Sequence, residues 1–532
     1  MPVKIFSASV MGIDAKLVEV EVDSSPGLFS LNIVGLPDKS VKESKERIAG
    51  AIKNSGLTPP SGKHKKITIN LAPADVKKEG PSYDLPIALG CILESGQVKF
   101  DPSKRLIMGE ISLDGSLRHS NGVLSTAILA KKLGFKEIII PYVNAKEASV
   151  VEGVNVIGAN TLNDVIGHVT RLSPISPFSF DHNDSSDSRS RASGDDSFVH
   201  IKGQESAKRA LFVAAAGGHN ILMFGPPGSG KTILAKALSE ILPAMSLDES
   251  IEVARIHGSG GLIKDSYLSY NRPFRNPHHT TSAVAVIGGG TYPKPGEISL
   301  AHRGVLFMDE LPEFHRNVLE ALRQPLEDGT VTVSRAAGSV TLPAKFMLVA
   351  AMNPCQCGNY GDNKLSCICS PINVIRYRKK ISGPLLDRID IQINVSRETP
   401  HLLDDKKDSG KAAVAQKVRG ELLQNPVNAD EMRKNVALAR EIQAERFTGS
   451  GIYTNAEINF KTIDKFCVLE PKAEQILQNA ISNKNLSMRT YHKVKKLGRT
   501  IADLDGSDII KENYIAEALA FRVNESIFSE LA

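Results

Sequence analysis

Eight consecutive residues, GPPGSGKT, carry the strongest chemical signal in the sequence. Gly225, Pro226, Pro227, Gly228, Ser229, Gly230, Lys231 and Thr232 complete the pattern G-x4-G-K-[ST], and they stand between a short apolar run, NILMF, and a helix-like run, ILAKAL. Glycines let successive backbone N–H groups curl around phosphate oxygens, and the N-terminus of the following helix adds partial positive charge. The spacing predicts that Lys231 bridges the β- and γ-phosphates of ATP and that Thr232 ligates Mg2+. Downstream, GVLFMDEL reads as a buried strand that delivers Asp309 and Glu310 at its C-terminal edge, where sites of open α/β sheets lie. Asp309 is expected to hold Mg2+ through water and Glu310 to polarise the attacking water. Together these residues imply hydrolysis of ATP, not binding alone.

A second constellation is NPCQCGNYGDNKLSCICS, residues 353–370, which holds four of the six cysteines. In a reducing compartment a thiol cluster reads as a metal site before it reads as disulfides. Cys355, Cys357, Cys367 and Cys369 can supply a tetrahedron of four thiolates for zinc, although C-x-C is tighter than the usual C-x2–4-C, and free thiols are the alternative. Four thiolates leave no open coordination position, so the zinc is expected to be structural. It would fold an excursion with no core of its own and hold the cations of VIRYRKK. Cys91 and Cys467 lie in apolar helical contexts and read as core residues.

The elements that must position these groups follow from pattern and composition. A chain of 532 residues is too long for one core and suggests three domains or so. Residues 1–170 mix alternating strands (KLVEVEV, KITINL) with helical segments, an α/β domain. Residues 171–198 are rich in Ser, Asp and Pro and poor in aliphatics, the composition of a flexible linker. Residues 199–395 return to an α/β pattern with buried parallel strands, and residues 396–532 read as a helical subdomain. No apolar run approaches the ~20 residues needed to cross a bilayer, and the N-terminus has no secretory h-region. A cytoplasmic protein without a membrane partner is expected. The net charge of +6 is compatible with nucleic acid but equally with many cytosolic enzymes.

Further segments resemble the AAA+ ATPases. LVAAMNP resembles the strand that ends in a polar sensor, here Asn353, beside the attacking water. GPLLDRIDI resembles the segment with an arginine finger, here Arg388, and LSMRTYHKVKKLGRT resembles the second sensor of the helical lid, here Arg489. RPFRNPHHTTSAVAVIGGGTYPKPGEISLAHRG looks like the helix-2 insert of the branch that holds magnesium chelatases and MCM helicases. DGTVTVSRAAGSVTLPAKF reads as a hairpin before the sensor strand. In that branch both point into the pore of a ring, which here would present Arg335, Lys345, Arg272, Arg275, His278 and His279. Cationic pore loops suit a phosphate backbone; a solvated hairpin is the alternative.

Insert, NPHHTTS, cysteine cluster and N-terminal segment together resemble the ComM/YifB family of magnesium chelatase-like proteins over essentially the whole chain. The resemblance implies a homo-hexameric DNA helicase driving branch migration during homologous recombination of transforming DNA. Its partners would be single-stranded, double-stranded or branched DNA and recombination proteins; its cofactors would be ATP and Mg2+. The N-terminal domain resembles the proteolytic domain of Lon, with KKEGPSYDLP placing Ser82 as nucleophile. The slot for the catalytic lysine, around Leu124-Ser125-Thr126, holds none, and Lys131 and Lys132 fall more than a turn later. A serine without its base is a poor nucleophile, and Tyr83-Asp84 should crowd the site, so an inactive scaffold is expected. It would serve ring assembly and DNA contact, with KHKK at residues 63–66 as a candidate patch or a merely solvated loop. A metallochelatase subunit, an ATP-dependent protease and a nucleotide-gated scaffold are the competing readings.

Overall fold

Val18, Val20 and Val22 alternate with polar residues, as do Ile67, Ile69 and Leu71, and all six are buried in one cluster. Period-two patterning with one face inward is what a half-buried strand requires. The computed structural model describes residues 2–62, 65–75, 77–78, 80–179, 198, 201, 203–261, 268–290, 294–335, 338–362, 365–397, 429–484 and 487–522. Its contacts divide the chain into two compact units. The first comprises Met1–Ser190, Leu247–Ser269 and Pro293–Pro295; the second comprises Arg191–Ser246, Tyr270–Tyr292 and Gly296–Ala532.

The first unit is built on a seven-stranded mixed sheet of β1 (Val3–Met11), β2 (Asp14–Pro26), β3 (Ser30–Val34), β4 (Lys65–Ala72), β5 (Arg105–Ile107), β6 (Glu137–Pro141) and β7 (Asn155–Ala159), in the order β3-β4-β2-β1-β5-β6-β7. Helix α1 (Lys39–Asn54) starts where the Asp38 carboxylate accepts the Val41 N–H, and it buries Val41, Ile48, Ala51 and Ile52. Helix α2 (Asp84–Glu94) is apolar all round and buried along most of its length. Helix α3 (Val123–Leu133) carries Leu124, Ser125 and Thr126 inward.

Two features depart from the linear reading. Residues expected to open the linker are ordered: the Phe178 N–H donates to the Val156 carbonyl at 2.8 Å and its ring meets Tyr142 edge-on. Phe178 is an apolar anchor inside a polar stretch. Residues 180–197 lie outside the described residues. The helix Leu247–Ser259, which in sequence follows the phosphate loop, folds with the first unit. Ala254 joins a cluster with Ala8, Leu106 and Ile138, and Arg255 donates to the Asp14 carboxylate and the Ile13 carbonyl, each at 2.9 Å.

The second unit holds a five-stranded sheet: β8 (Ile221–Phe224), β9 (Phe274–Arg275), β10 (Val305–Met308), β13 (Met347–Met352) and β14 (Ile391–Asn394), in the order β9-β10-β13-β8-β14, every pair parallel. Burial on both faces explains the unbroken apolar runs ILMF, VLFM and MLVAAM. Between β10 and β13 the chain forms the expected hairpin, β11 (Thr330–Arg335) and β12 (Gly338–Pro343), antiparallel with Thr332 opposite Thr341. The C-terminal part is helical: Ala429–Arg446, Pro471–Lys484, Met488–Leu504 and Glu512–Ala520. Residues 398–428 lie outside the described residues. Val494, Leu497 and Ile501 of the third of these helices join the core of the sheet's first face.

Candidate nucleotide-binding site and cysteine cluster

Strand β8 ends at Phe224, a loop curls through Gly228 and Gly230 at φ +76° and +88°, and a helix begins at Lys231. Positive φ is nearly free for glycine and costly for other residues, so the loop is set by these two positions. The Lys231 amine is buried and donates to the carbonyls of Gly225 and Pro226 at 2.7 and 2.8 Å. Among the described residues no carboxylate ion-pairs with it, so it is a buried cation held by neutral acceptors, which suits an anionic phosphate. Burial pulls its pKa down to about 8, only partly offset by Asp309 and Glu310.

The sheet order explains how distant residues meet here. Strand β13 lies between β8 and β10, so Asn353 at its end stands between the loop and the acids of β10. The Lys231 amine reaches Asn353 Oδ1 at 3.2 Å. Thr232 Oγ1 donates to Asp309 Oδ2 at 3.0 Å, and Asp309 Oδ1 accepts the Glu310 N–H at 2.9 Å. Glu310 itself sits in the left-handed region at φ +50°, a strained position for a residue with a side chain. Thr232 and Asp309 together offer the hydroxyl and carboxylate oxygens that Mg2+ takes.

His279, expected from its place in the insert to be a pore cation, lies against an acid of β10. Its Nδ1 lies 3.2 Å from Glu310 Oε2, with the His278 ring 4.2 Å away. This contact escapes sequence reasoning because it depends on where β9 ends; the signal available is that NPHH follows directly on that strand. Arg272 and Arg275, expected as pore cations, are likewise engaged within their own unit. Arg272 donates to the carbonyls of Pro243 and Arg303 at 2.8 and 2.7 Å, and Arg275 forms a two-pronged pair with Glu297 at 2.6 and 2.8 Å. Both guanidinium groups are consumed in holding loops of their own unit. Lys345 pairs with Glu457 at 3.3 Å. Arg335 ends β11, and its side chain lies outside the described residues.

Arg388 and Arg489 converge on one carboxylate, Glu327. Arg388 Nη2 donates to it, and Arg489 Nη2 lies 3.5 Å from it. No contact among the described residues ties either arginine to Lys231 or Glu310. In the first unit Ser82 is half-buried, and among the described residues no lysine amine donates to it. Leu124 is buried, the Ser125 hydroxyl donates to Ile13 O at 2.6 Å, and Thr126 bonds Gly122 O at 3.0 Å. Lys78 is buried with its amine on the Pro73 carbonyl. Tyr83 and Asp84, next to Ser82 in the chain, are buried; Asp84 pairs with Arg47 at 2.8 Å, and burial pushes its pKa up to about 6. Of the KHKK patch, residues 63 and 64 lie outside the described residues.

The four clustered cysteines meet. Their sulfur atoms lie within 4.8 Å of one another, with Cys355–Cys357 at 3.3 Å, Cys357–Cys367 at 3.6 Å and Cys355–Cys367 at 3.7 Å, and all are free thiols. A tetrahedron with Zn–S of about 2.3 Å has sulfur–sulfur edges of roughly 3.8 Å, so the donor set fits zinc. The N–H groups of Asn359 and Ile368 point at the Cys357 sulfur and hold its pKa down to about 6, the outer-shell support that thiolate ligands use. Of VIRYRKK, Tyr377 and Arg378 turn inward, Lys380 pairs with Glu313 at 3.1 Å, and Arg376 and Lys379 are exposed.

Three family models match the chain: subunit ChlI of Mg-chelatase over residues 20–144, magnesium chelatase subunit ChlI over 197–403, and its C-terminal part over 427–522. Competence protein ComM of Haemophilus influenzae is 41% identical over 99% of both chains, and the uncharacterized protein YifB of Escherichia coli is 38% identical over 99% of this chain and 98% of its own. Lon protease 2 of Bacillus subtilis is 27% identical over 29% of each chain. No described helix is long and apolar enough to cross a membrane.

Proposed function

Because the chain belongs to the ComM/YifB family of magnesium chelatase-like proteins, we propose that it is an ATP-driven motor that works on DNA. One observation carries the reading: Lys231, Thr232, Asp309, Glu310 and Asn353 converge at the ends of adjacent parallel strands. On binding ATP, Lys231 exchanges its carbonyl acceptors for phosphate oxygens, and Thr232 with Asp309 holds the Mg2+ that neutralises them. Glu310 orients and deprotonates the attacking water beside Asn353. His279 holds the Glu310 carboxylate until that water arrives. Arg388 acts across a subunit boundary of a homo-hexameric ring, and Arg489 closes the lid on the nucleotide. The four cysteines hold a structural zinc.

The relative named as a competence protein supports a substrate of single-stranded, double-stranded or branched DNA. It supports a task of branch migration in the cytoplasm, alongside recombination proteins, as transforming DNA is taken into the chromosome. With Arg272 and Arg275 engaged within their own unit and Lys345 paired with Glu457, the hairpin with Arg335 remains the candidate DNA contact. The match to ChlI favours a second reading, a chelatase-type remodelling ATPase. A Lon-like protease is disfavoured, because among the described residues no lysine amine donates to Ser82. ATP hydrolysis measured with and without each form of DNA separates these: stimulation by DNA is expected, and an ATPase indifferent to every form of DNA would overturn the DNA motor.

A further inference from the structure

The cysteine segment has no core of its own. Leu365 and Ile368 are exposed, so apolar burial cannot fold the stretch from Cys355 to Cys369, and its order must come from the metal and from what it touches. It reaches the phosphate loop and the strand end before it at one direct contact and through two bridging arginines. Gly358, at φ +83°, lies so close to Pro227 that a Cβ there would sit 2.6 Å from Pro227 Cδ. Arg397 donates to the Pro227 carbonyl at 3.0 Å while its other Nη lies 3.6 Å from the buried Asp362 carboxylate of the cysteine segment. Arg378 stacks between the rings of Tyr360, in the cysteine segment, and Phe224, the residue before the loop, at 5.0 and 5.3 Å, and its Nε donates to Pro354 O. A fourth link runs through the chain itself. Asn353, which bonds Lys231, stands two residues before Cys355.

We infer that the cysteine knuckle is a clamp on the phosphate loop, so that a divalent metal held by the four thiolates and a nucleoside triphosphate held by the loop bind with positive, reciprocal coupling. The inference rests on the proposed assignments of the two sites and adds the link between them. Metal fixes Gly358, Tyr360 and Asp362; these fix Pro227 and Phe224; the loop then meets the phosphates without first being ordered. Linkage requires that nucleotide in turn tighten the hold on metal by the same factor.

The experiment uses the full chain with its zinc and a fluorescent ATP analogue with excess Mg2+. Zinc is released with a thiol-reactive mercurial and followed with a colorimetric zinc indicator. Release of zinc is expected to weaken analogue binding about tenfold, and bound nucleotide is expected to slow zinc release. Gly358→Ala and Arg397→Gln keep all four thiols and should keep the zinc. Each should lose several-fold in nucleotide affinity and most of the protection of zinc by nucleotide, which separates coupling from unfolding of the metal-free chain. A wild type that binds both ligands with affinities indifferent to each other, and variants that behave like it, would overturn the clamp alone. A chain that carries no zinc or binds no nucleotide would overturn the site assignments and the clamp with them.

Discussion

Thr232 and Asp309 meet directly: the hydroxyl donates to the carboxylate at 3.0 Å, although 77 positions separate them in sequence. Two residues proposed to share a magnesium ion therefore stand within hydrogen-bond distance of each other. The parallel pairing of β10 with β13, and of β13 with β8, sets this distance. Such pre-organisation lowers the cost of assembling a charged transition state.

Glu310→Gln should bind ATP with near-wild-type affinity and lose hydrolysis by about 10²–10⁴-fold, because only the proton acceptor is removed. His279→Ala should leave binding intact as well and reduce turnover less, since His279 acts through its contact with Glu310. Turnover of the Gln variant within a few-fold of wild type, measured as phosphate release, would remove Glu310 from the mechanism.

Lys231 makes nucleotide binding proton-linked. Burial pulls its pKa down to about 8, and the charge of a phosphate beside it is expected to raise it again. Binding of MgATP should therefore take up about half a proton per site at pH 8 and almost none at pH 6.5. Affinity should fall as pH rises through 8, since uptake of a proton on binding means that alkali opposes it. Calorimetry in two buffers of different ionisation enthalpy reads this directly. Equal enthalpies at pH 8 would show that Lys231 stays charged throughout.

The strand–loop–helix around Lys231, the acids after β10 and the four cysteines are legible in sequence because each is local: residue type and spacing state the chemistry. Partnership is what sequence withholds. Arg272 and Arg275 carry the same charge whether they face DNA or, as here, a carbonyl and Glu297. Residues 247–259 follow the phosphate loop in sequence, yet the structure gives their helix to the first unit, a placement that chain order does not encode. Contacts between the cysteine segment and Pro227 arise from strand order, which no local spacing encodes.

A buried ion pair joins the sheet to the C-terminal helices. Lys493 lies 2.9 Å from Asp390, which also faces His219, and His219 in turn bonds Thr500 at 2.8 Å. Burial opposes the charge on Asp390, yet Lys493 and His219 outweigh it and hold the carboxyl far below the usual range. A carboxyl depressed in the folded state contributes stability above its unfolded pKa and loses it as pH falls toward the folded one. Lys493→Met should cost about 3–5 kcal/mol, because it strands Asp390 without its main partner. It should also flatten the acid limb of the stability curve below pH 4. Denaturant midpoints at pH 7 and at about pH 2.5 check both effects. A loss below about 1 kcal/mol at pH 7 would show the pair to be dispensable.

Arg388 rests on Glu327 in the single chain and shares it with Arg489. A finger that acts on a neighbour's nucleotide must leave that carboxylate when the ring forms. Charge builds on the γ-phosphate oxygens as the bond breaks, and such an arginine contributes on the order of 10³–10⁵ in rate. Arg388→Ala should therefore bind ATP but barely hydrolyse it, whereas Glu327→Gln, which removes only the resting partner, should retain most of the turnover. The two roles of Arg388, holding its own subunit together or serving the next one, separate in mixtures. Lys231→Ala lacks the phosphate contact and keeps the finger; Arg388→Ala lacks the finger and keeps the phosphate contact. Each is inactive alone, so hydrolysis recovered on mixing can arise only at boundaries that join an intact loop to an intact finger. Recovery should peak at intermediate ratios of the two proteins. If mixtures verified to co-assemble stay inactive at every ratio, Arg388 belongs to the internal packing around Glu327, and the cation that completes the neighbouring site lies elsewhere.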